Sequence, residues 1–152
     1  GLAAKVDVLA AFSDKLPYFN TFGGNPVSIA AAQAVLKYIK DENLQEHCKK
    51  AGAALLKALK EVQERHPESV GDVRGVGLFL GFEFVKNDGN KTPDKDMALN
   101  VIEMLRDEHI LTSVIGHYGN ILKLRPPMVF SENDIDWFAT SLDKCITKLE
   151  NK

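Results

Sequence analysis

Apolar residues recur every three to four positions in the first half of the chain, and this spacing predicts two helices. The first begins at Asn25-Pro26, because Asn is a good N-cap and Pro fits the first helical position, where the missing N–H costs nothing. Its apolar stripe runs to Ile39. The second stripe runs from Leu44 to Val62, and His66-Pro67 ends that helix.

From Val73 to Val85 the spacing changes, because apolar residues now alternate along the chain. Alternation is typical of a strand, so this segment is predicted to be one strand. It contains three glycines, which would weaken an ordinary strand: Gly75, Gly77 and Gly81. We therefore expect another segment to pack closely against this backbone.

The second half predicts one more helix and two further strands, at residues 94–108, 110–114 and 121–125. A last helix begins at Ser131, which forms a capping box with Asp134, while Phe130 and Ile135 are placed as a hydrophobic staple. The order is helix, helix, strand, helix, strand, strand, helix. It predicts an α+β fold in which helices pack on one face of a small, mainly antiparallel sheet.

Composition and charge narrow the class of protein. The 152 residues are 45% hydrophobic and 26% charged, as in a globular domain, and a net charge of −2 argues against sequence-independent nucleic-acid binding. No apolar run approaches the roughly 20 residues that cross a bilayer, and no secretory signal pattern is present. The two cysteines lie far apart, which favours a reducing, intracellular compartment.

Metal binding and the common nucleophile motifs are not indicated. The four histidines lack metal-ligand spacing and are predicted to face solvent, at positions His47, His66, His109 and His117. No Gly-x-Ser-x-Gly motif and no phosphate-binding Walker loop is present in the sequence. We therefore expect no metal site.

The turn from Thr21 to Pro26 combines a hydroxyl, two glycines and the capped start of a helix. A hydroxyl and exposed backbone N–H groups donate hydrogen bonds to a phosphate, and the helix dipole favours an anion at this end. The residues alone leave two interpretations open: a phosphate site, or a tight turn with an ordinary helix cap.

Lys123 and Arg125 form the second candidate site. Residues two apart on a strand face the same side, so the two cations form a pair. Such a pair suits an anion clamp for a carboxylate or a phosphate. A solvated sheet edge, where Lys is common, explains the same pattern equally well.

Three segments carry a resemblance to a known family. They are Tyr-Phe-Asn-Thr-Phe-Gly-Gly-Asn-Pro-Val at residues 18–27, Gly-Asp-Val-Arg-Gly-Val-Gly-Leu-Phe-Leu-Gly-Phe-Glu at 71–83, and Asn-Ile-Leu-Lys-Leu-Arg-Pro-Pro at 120–127. In this order they resemble the C-terminal part of class III aminotransferases, which depend on pyridoxal 5'-phosphate (PLP). The similarity covers nearly the whole chain from Val6. It is strongest to the subgroup of ethanolamine-phosphate and phosphohydroxylysine phospho-lyases and alanine-glyoxylate aminotransferase 2-like proteins.

The resemblance implies a fold-type I PLP enzyme, in which a large cofactor domain precedes a small C-terminal domain. It assigns residues 1–26 to the end of the large domain with its phosphate-binding loop, 27–66 to long connecting helices, and 67–152 to the small domain. We therefore expect this chain to be the C-terminal piece of a longer homodimeric enzyme.

The resemblance also implies roles for individual residues. Thr21, with Phe22 and Gly23 beside it, would bind the PLP phosphate of the partner subunit. Lys123 occupies the position at which the family carries its carboxylate-binding Arg, and with Arg125 it would bind the anionic group of the substrate. Because Lys and Arg are not interchangeable in bidentate recognition, this departure mildly favours a phosphorylated substrate.

The implied activity is amino transfer or phosphate elimination on a small amine or amino acid, through a PLP aldimine. We expect a cytoplasmic enzyme, or a mitochondrial one in a eukaryote, without nucleic-acid or membrane partners. The family's Schiff-base lysine lies upstream of the matching region, and Lys5 does not occupy its position. The chain alone is therefore predicted to hold no catalytic residue and to be inactive. The alternative is an interaction module that keeps only the small-domain fold.

Overall fold

The computed structural model describes residues 2–151, which divide after Asp41 into two units. The first unit contains helices α1 (Val6–Ser13) and α2 (Pro26–Asp41). The predicted cap of α2 is confirmed, because the Asn25 side chain accepts hydrogen bonds from the backbone N–H groups of Val27 at 3.0 Å and Ser28 at 3.2 Å. No residue of either helix is buried, so the described part of this unit has no core of its own.

The second unit contains three helices and four strands: α3 (Leu44–Arg65), β1 (Val70–Val76), β2 (Phe79–Phe84), α4 (Lys95–Asp107), β3 (Ser113–Ile115), β4 (Ile121–Leu124) and α5 (Glu132–Glu150). The strand order is β1-β2-β4-β3, and every neighbouring pair is antiparallel. The predicted α+β fold is confirmed. Within residues 2–151, no helix is long and apolar enough to cross a bilayer.

The core lies between the three helices and one face of the sheet. The strands supply every second side chain to it, notably Leu80, Phe82 and Phe84 from β2 and Leu122 and Leu124 from β4. The helices supply their apolar stripes, which include Leu55, Leu59, Leu105, Leu142 and Ile146. The residues between the buried strand positions lie on the opposite face of the sheet, which we call the open face. It includes Arg74, Phe79, Gly81 and Lys123.

The segment predicted as a single strand from Val73 to Val85 forms the hairpin β1–β2, so that prediction is wrong. The chain reverses at Gly77-Leu78, where Gly77 adopts φ of 55°, a left-handed conformation that glycine adopts without strain. The expected close packing is present, because a Cβ atom on Gly52 of α3 would lie 2.2 Å from the Gly77 carbonyl oxygen. Helix α3 therefore rests directly on the hairpin backbone.

The second unit includes helix α3 as well as the sheet. The structure divides the chain between Asp41 and Glu42 and groups α3 with the sheet. The reason is that one face of α3 is buried in the same core, through Leu55, Leu59 and Val62. Helix α3 is thus an integral part of the second unit.

His66, predicted to face solvent, is buried at the end of α3, with 6% of its surface exposed. Its Nδ1 lies 2.7 Å from Glu150 Oε2 and its Nε2 lies 3.1 Å from Asp143 Oδ1, both on α5. Asp143 also accepts from Arg65 Nε at 2.7 Å; burial works against its ionisation, but Arg65 and His66 together hold its pKa below the usual value. The group ties the C-terminal ends of α3 and α5 together.

Helix α5 begins as predicted. The Ser131 hydroxyl accepts a hydrogen bond from Asp134 N at 3.3 Å, and the Asp134 carboxylate accepts from Ser131 N at 2.8 Å, which completes the capping box. The Ser131 hydroxyl also donates to Asp134 Oδ2 at 2.6 Å, and this bond, followed by the one from Ser131 N, lowers the pKa of Asp134. Ile135 is buried in the core and Phe130 packs against that core. This start fixes the segment between β4 and α5, which borders the candidate site.

Candidate functional site

Three cations lie on or just beyond the open face of the sheet: Arg74, Lys123 and Arg125. Register places Arg74 of β1 opposite Gly81 of β2, and Gly81 opposite Lys123 of β4. Lys123 is in turn opposite Ser113 of β3. Arg125 follows immediately after β4. A row of alternating charged and small residues therefore crosses all four strands.

Arg74 is neutralised within this face. Its guanidinium donates to Asp72 at 2.5 Å and to Glu83 at 2.7 Å. The hydrogen bond to Glu83 and then that to Asp72 raise the pKa of Arg74 above its ordinary value. Arg74 therefore serves as a tie between β1 and β2.

Lys123 and Arg125 differ from Arg74, because neither pairs with a carboxylate among residues 2–151. Lys123 is half-buried and Arg125 is exposed. The Arg125 guanidinium carbon lies 5.9 Å from the centroid of the Phe79 ring. Two cations without a carboxylate partner in the described residues thus lie two positions apart, one on β4 and one just after it.

Both cations border a cavity of about 480 Å³ in the second unit. The other walls are largely apolar and come from α3, α5 and the segments around β3 and β4: Leu55, Ile110, Leu111, Thr112, Ser113, Leu124, Pro126, Pro127, Phe130 and Phe138. A mostly apolar recess with a few polar groups is the usual form of a small-molecule site. This one suits a small organic molecule that carries an anionic group.

The Thr21 loop lies in the first unit, where Thr21, Phe22 and Gly23 are all exposed. The Asn20 side-chain oxygen accepts from the backbone N–H groups of Phe22 at 3.2 Å and of Gly23 at 2.9 Å. These two donors, which were expected to be available for a phosphate, are therefore used within the loop. The Thr21 hydroxyl has no hydrogen-bond partner in the described part of the chain, so it is a donor that this loop can offer.

The structure thus brings Lys123 and Arg125 together in one unit, and it places Thr21, Phe22 and Gly23 in the other. Sequence reasoning missed Phe79 and Gly81 as parts of the open face. The signal was available, since both alternate with Leu80 and Phe82, which are buried. The hairpin had to be known before that alternation could be assigned to a face.

Comparison with known proteins confirms the resemblance. The family model described as "Aminotransferase class-III" matches residues 3–146. Ethanolamine-phosphate phospho-lyase homolog 1 of Caenorhabditis elegans is 43% identical over 147 residues, which are 96% of this chain and 31% of that protein. The alanine–glyoxylate aminotransferase 2-like protein of Drosophila melanogaster is 40% identical over 131 residues, which are 86% of this chain and 26% of that protein.

A solved structure gives the same result. A phospholyase from Arthrobacter in complex with phosphoethanolamine superposes with a TM-score of 0.86 at 36% identity, covering 93% of this chain and 33% of that one. The chain therefore spans about a third of the length of these relatives. With the family model matched across almost its full length, the chain belongs to the class-III aminotransferase family.

Proposed function

We propose that the full-length protein is a PLP-dependent aminotransferase or phospho-lyase that acts on a small amine or amino acid with an anionic group, and that this chain is its C-terminal part. The observation that carries the proposal is the pair Lys123 and Arg125, which has no internal carboxylate partner within residues 2–151 and borders a largely apolar cavity. Relatives of both activities support it, among them the phospholyase solved with phosphoethanolamine.

The residues of the Thr21 loop fit the phosphate of PLP through the Thr21 hydroxyl. The Thr21 hydroxyl is exposed and unpartnered within residues 2–151, whereas the N–H groups of Phe22 and Gly23 already bind Asn20. Thr21 would therefore donate to the phosphate, and Phe22 and Gly23 would shape the loop beside it. In a homodimer this phosphate is that of the partner subunit's cofactor. When bound, PLP supplies an electron sink for negative charge on the substrate carbon that bears nitrogen.

Lys123 and Arg125 would bind and orient the substrate. An ammonium group attracts a phosphate as a point charge, while a guanidinium donates two parallel hydrogen bonds to a carboxylate or a phosphate. The apolar walls of the cavity would contact the uncharged part of the substrate. Binding the anionic group at this end fixes the orientation of the substrate, and most of the energetic benefit of such a clamp comes from this positioning.

A substrate screen of the full-length protein tests the proposal. With PLP bound, amines and amino acids with and without a phosphate are supplied together with keto-acid acceptors, and released phosphate and keto product are assayed in parallel. We expect at least one product from an anionic amine. The 152-residue chain, assayed alongside, should form neither product, because the family's lysine lies upstream of it. Failure of the PLP-loaded full-length protein to form either product would contradict the proposal and favour the interaction module.

Thr21→Ala in the full-length enzyme should weaken PLP binding about 10- to 100-fold, because one hydrogen bond to a charged group contributes about 1.5–3 kcal/mol. The measurement is cofactor titration by absorbance. Thr140→Ala, which removes an exposed hydroxyl from α5, is the matched control and should leave PLP affinity unchanged.

Mixed dimers identify the subunit on which Thr21 acts. Thr21→Ala subunits are combined with subunits that lack the Schiff-base lysine. If Thr21 reaches the partner's cofactor, both lesions fall in one active site and the other site remains intact. The mixed dimer then retains about half of the activity of the wild-type dimer. Two singly impaired sites would instead place Thr21 in its own subunit's site and overturn this part of the proposal.

A further inference from the structure

Arg125 lies just beyond the end of the sheet, where pairing no longer fixes the chain. The last residue pair of β2 and β4 is Leu80 with Leu124, and one further step of the same antiparallel register brings Phe79 opposite Arg125. Pro126 and Pro127 follow, and proline has no N–H with which to continue a ladder. The long Arg125 side chain therefore needs a support other than strand pairing if it is to hold one orientation.

The Phe79 ring is the aromatic surface that Arg125 meets. It is 60% exposed at the start of β2, and the guanidinium carbon lies 5.9 Å from its centroid, within the range of a cation–π contact. A carboxylate partner, such as those that hold Arg74, would neutralise the guanidinium and compete with an incoming anion. An aromatic face orients the guanidinium and leaves its N–H groups free to donate.

We propose that Phe79 is a positioning residue: its ring holds the Arg125 guanidinium at the border of the cavity, so that Arg125 and Lys123 together meet the anionic group of the substrate. This inference rests on the proposed function. An arginine that is already oriented loses less side-chain freedom when an anion binds, so the ring contributes to substrate affinity without touching the reacting atoms. The effect should appear in the KM for anionic substrates and not in kcat.

The test compares three variants of the full-length enzyme with phosphoethanolamine as the phosphorylated probe and alanine as the carboxylate probe. Phe79→Leu keeps an apolar side chain but removes the ring, and we expect KM to rise about two- to fivefold for the probes that are turned over. Phe79→Tyr keeps the ring and should retain the wild-type KM. Val76→Thr, at the exposed cross-strand neighbour of Phe79, is the matched control and should change neither kinetics nor Tm.

A double-mutant cycle with Arg125→Met shows whether Phe79 acts through Arg125. We expect Phe79→Leu to raise KM no further in the Arg125→Met background. A persistent effect in that background, or a wild-type KM in Phe79→Leu while Arg125→Met raises it, would overturn the role of Phe79 and leave the proposed function intact. Unchanged kinetics in both Lys123→Met and Arg125→Met would instead remove the anion site on which this inference depends.

Discussion

Lys123→Met in the full-length enzyme is expected to raise the KM for anionic substrates about 10- to 100-fold, with PLP occupancy and Tm nearly unchanged. The magnitude follows from losing one charge-assisted contact to the substrate anion. Lys123 lies on the open face and makes no ion pair with a carboxylate in the described residues, so its removal breaks no salt bridge of the fold. Steady-state kinetics, cofactor absorbance and a thermal melt together measure the three quantities.

Lys123→Arg separates the two classes of anion. A carboxylate gains from the planar, two-pronged guanidinium, whereas a phosphate is already well served by a point charge. We therefore expect this variant to impair a phosphorylated amine more than an ordinary amino acid, and to improve turnover of the latter. Lys60→Met, which removes an exposed lysine from α3, is the control and should behave as wild type. Kinetics unaffected by both Lys123 variants would identify this lysine as part of a solvated sheet edge.

Gly52→Ala is expected to destabilise the second unit by about 3 kcal/mol, although glycine to alanine in a helix normally stabilises it by up to about 1 kcal/mol. The sign reverses because the new Cβ atom would lie 2.2 Å from the Gly77 carbonyl oxygen and 2.3 Å from its carbonyl carbon. These are backbone atoms of a hairpin turn, which cannot move aside as a flexible side chain can. Urea unfolding of the 152-residue chain, followed by circular dichroism, measures the change.

Ala53→Gly supplies the comparison on the same turn of α3. Ala53 is exposed, so its replacement costs only the helix propensity, about 1 kcal/mol. Gly52→Ala should thus be the more harmful of the two, even though it adds a good helix former. A stability gain in Gly52→Ala would mean that α3 does not rest on the hairpin as described.

The helices could be predicted from the sequence because their signals are local. Asn25 and Ser131 begin α2 and α5 through hydrogen bonds to residues two or three positions away. The hairpin could not be predicted from alternation, because the apolar residues keep the same spacing through the turn although the turn shifts which positions face the core. Val76 and Leu80 are in phase along the sequence, yet Val76 is 88% exposed and Leu80 is buried. Only the glycine at the turn distinguishes a hairpin from a longer strand.

The candidate site was predictable only in part, for the same reason. The shared face of Lys123 and Arg125 follows from their spacing. Their lack of carboxylate partners does not, because it depends on strand pairing that brings Glu83 to Arg74. In the first unit, the resemblance singles out Thr21, but the occupation of nearby backbone donors by Asn20 is a property of the folded loop.

The strand order β1-β2-β4-β3 also gives the sheet a hierarchy for folding. Strands β1 and β2 are joined by a two-residue turn and β3 and β4 by a short one, so each outer pair closes within a few residues. The central pair β2–β4 joins strands separated by α4, and its formation carries the larger loop-closure entropy. The two hairpins can therefore form early and independently, while formation of the β2–β4 pairing between them limits the folding rate. Destabilising the β2–β4 pairing, or either hairpin that has formed before it, should therefore slow folding more than it speeds unfolding.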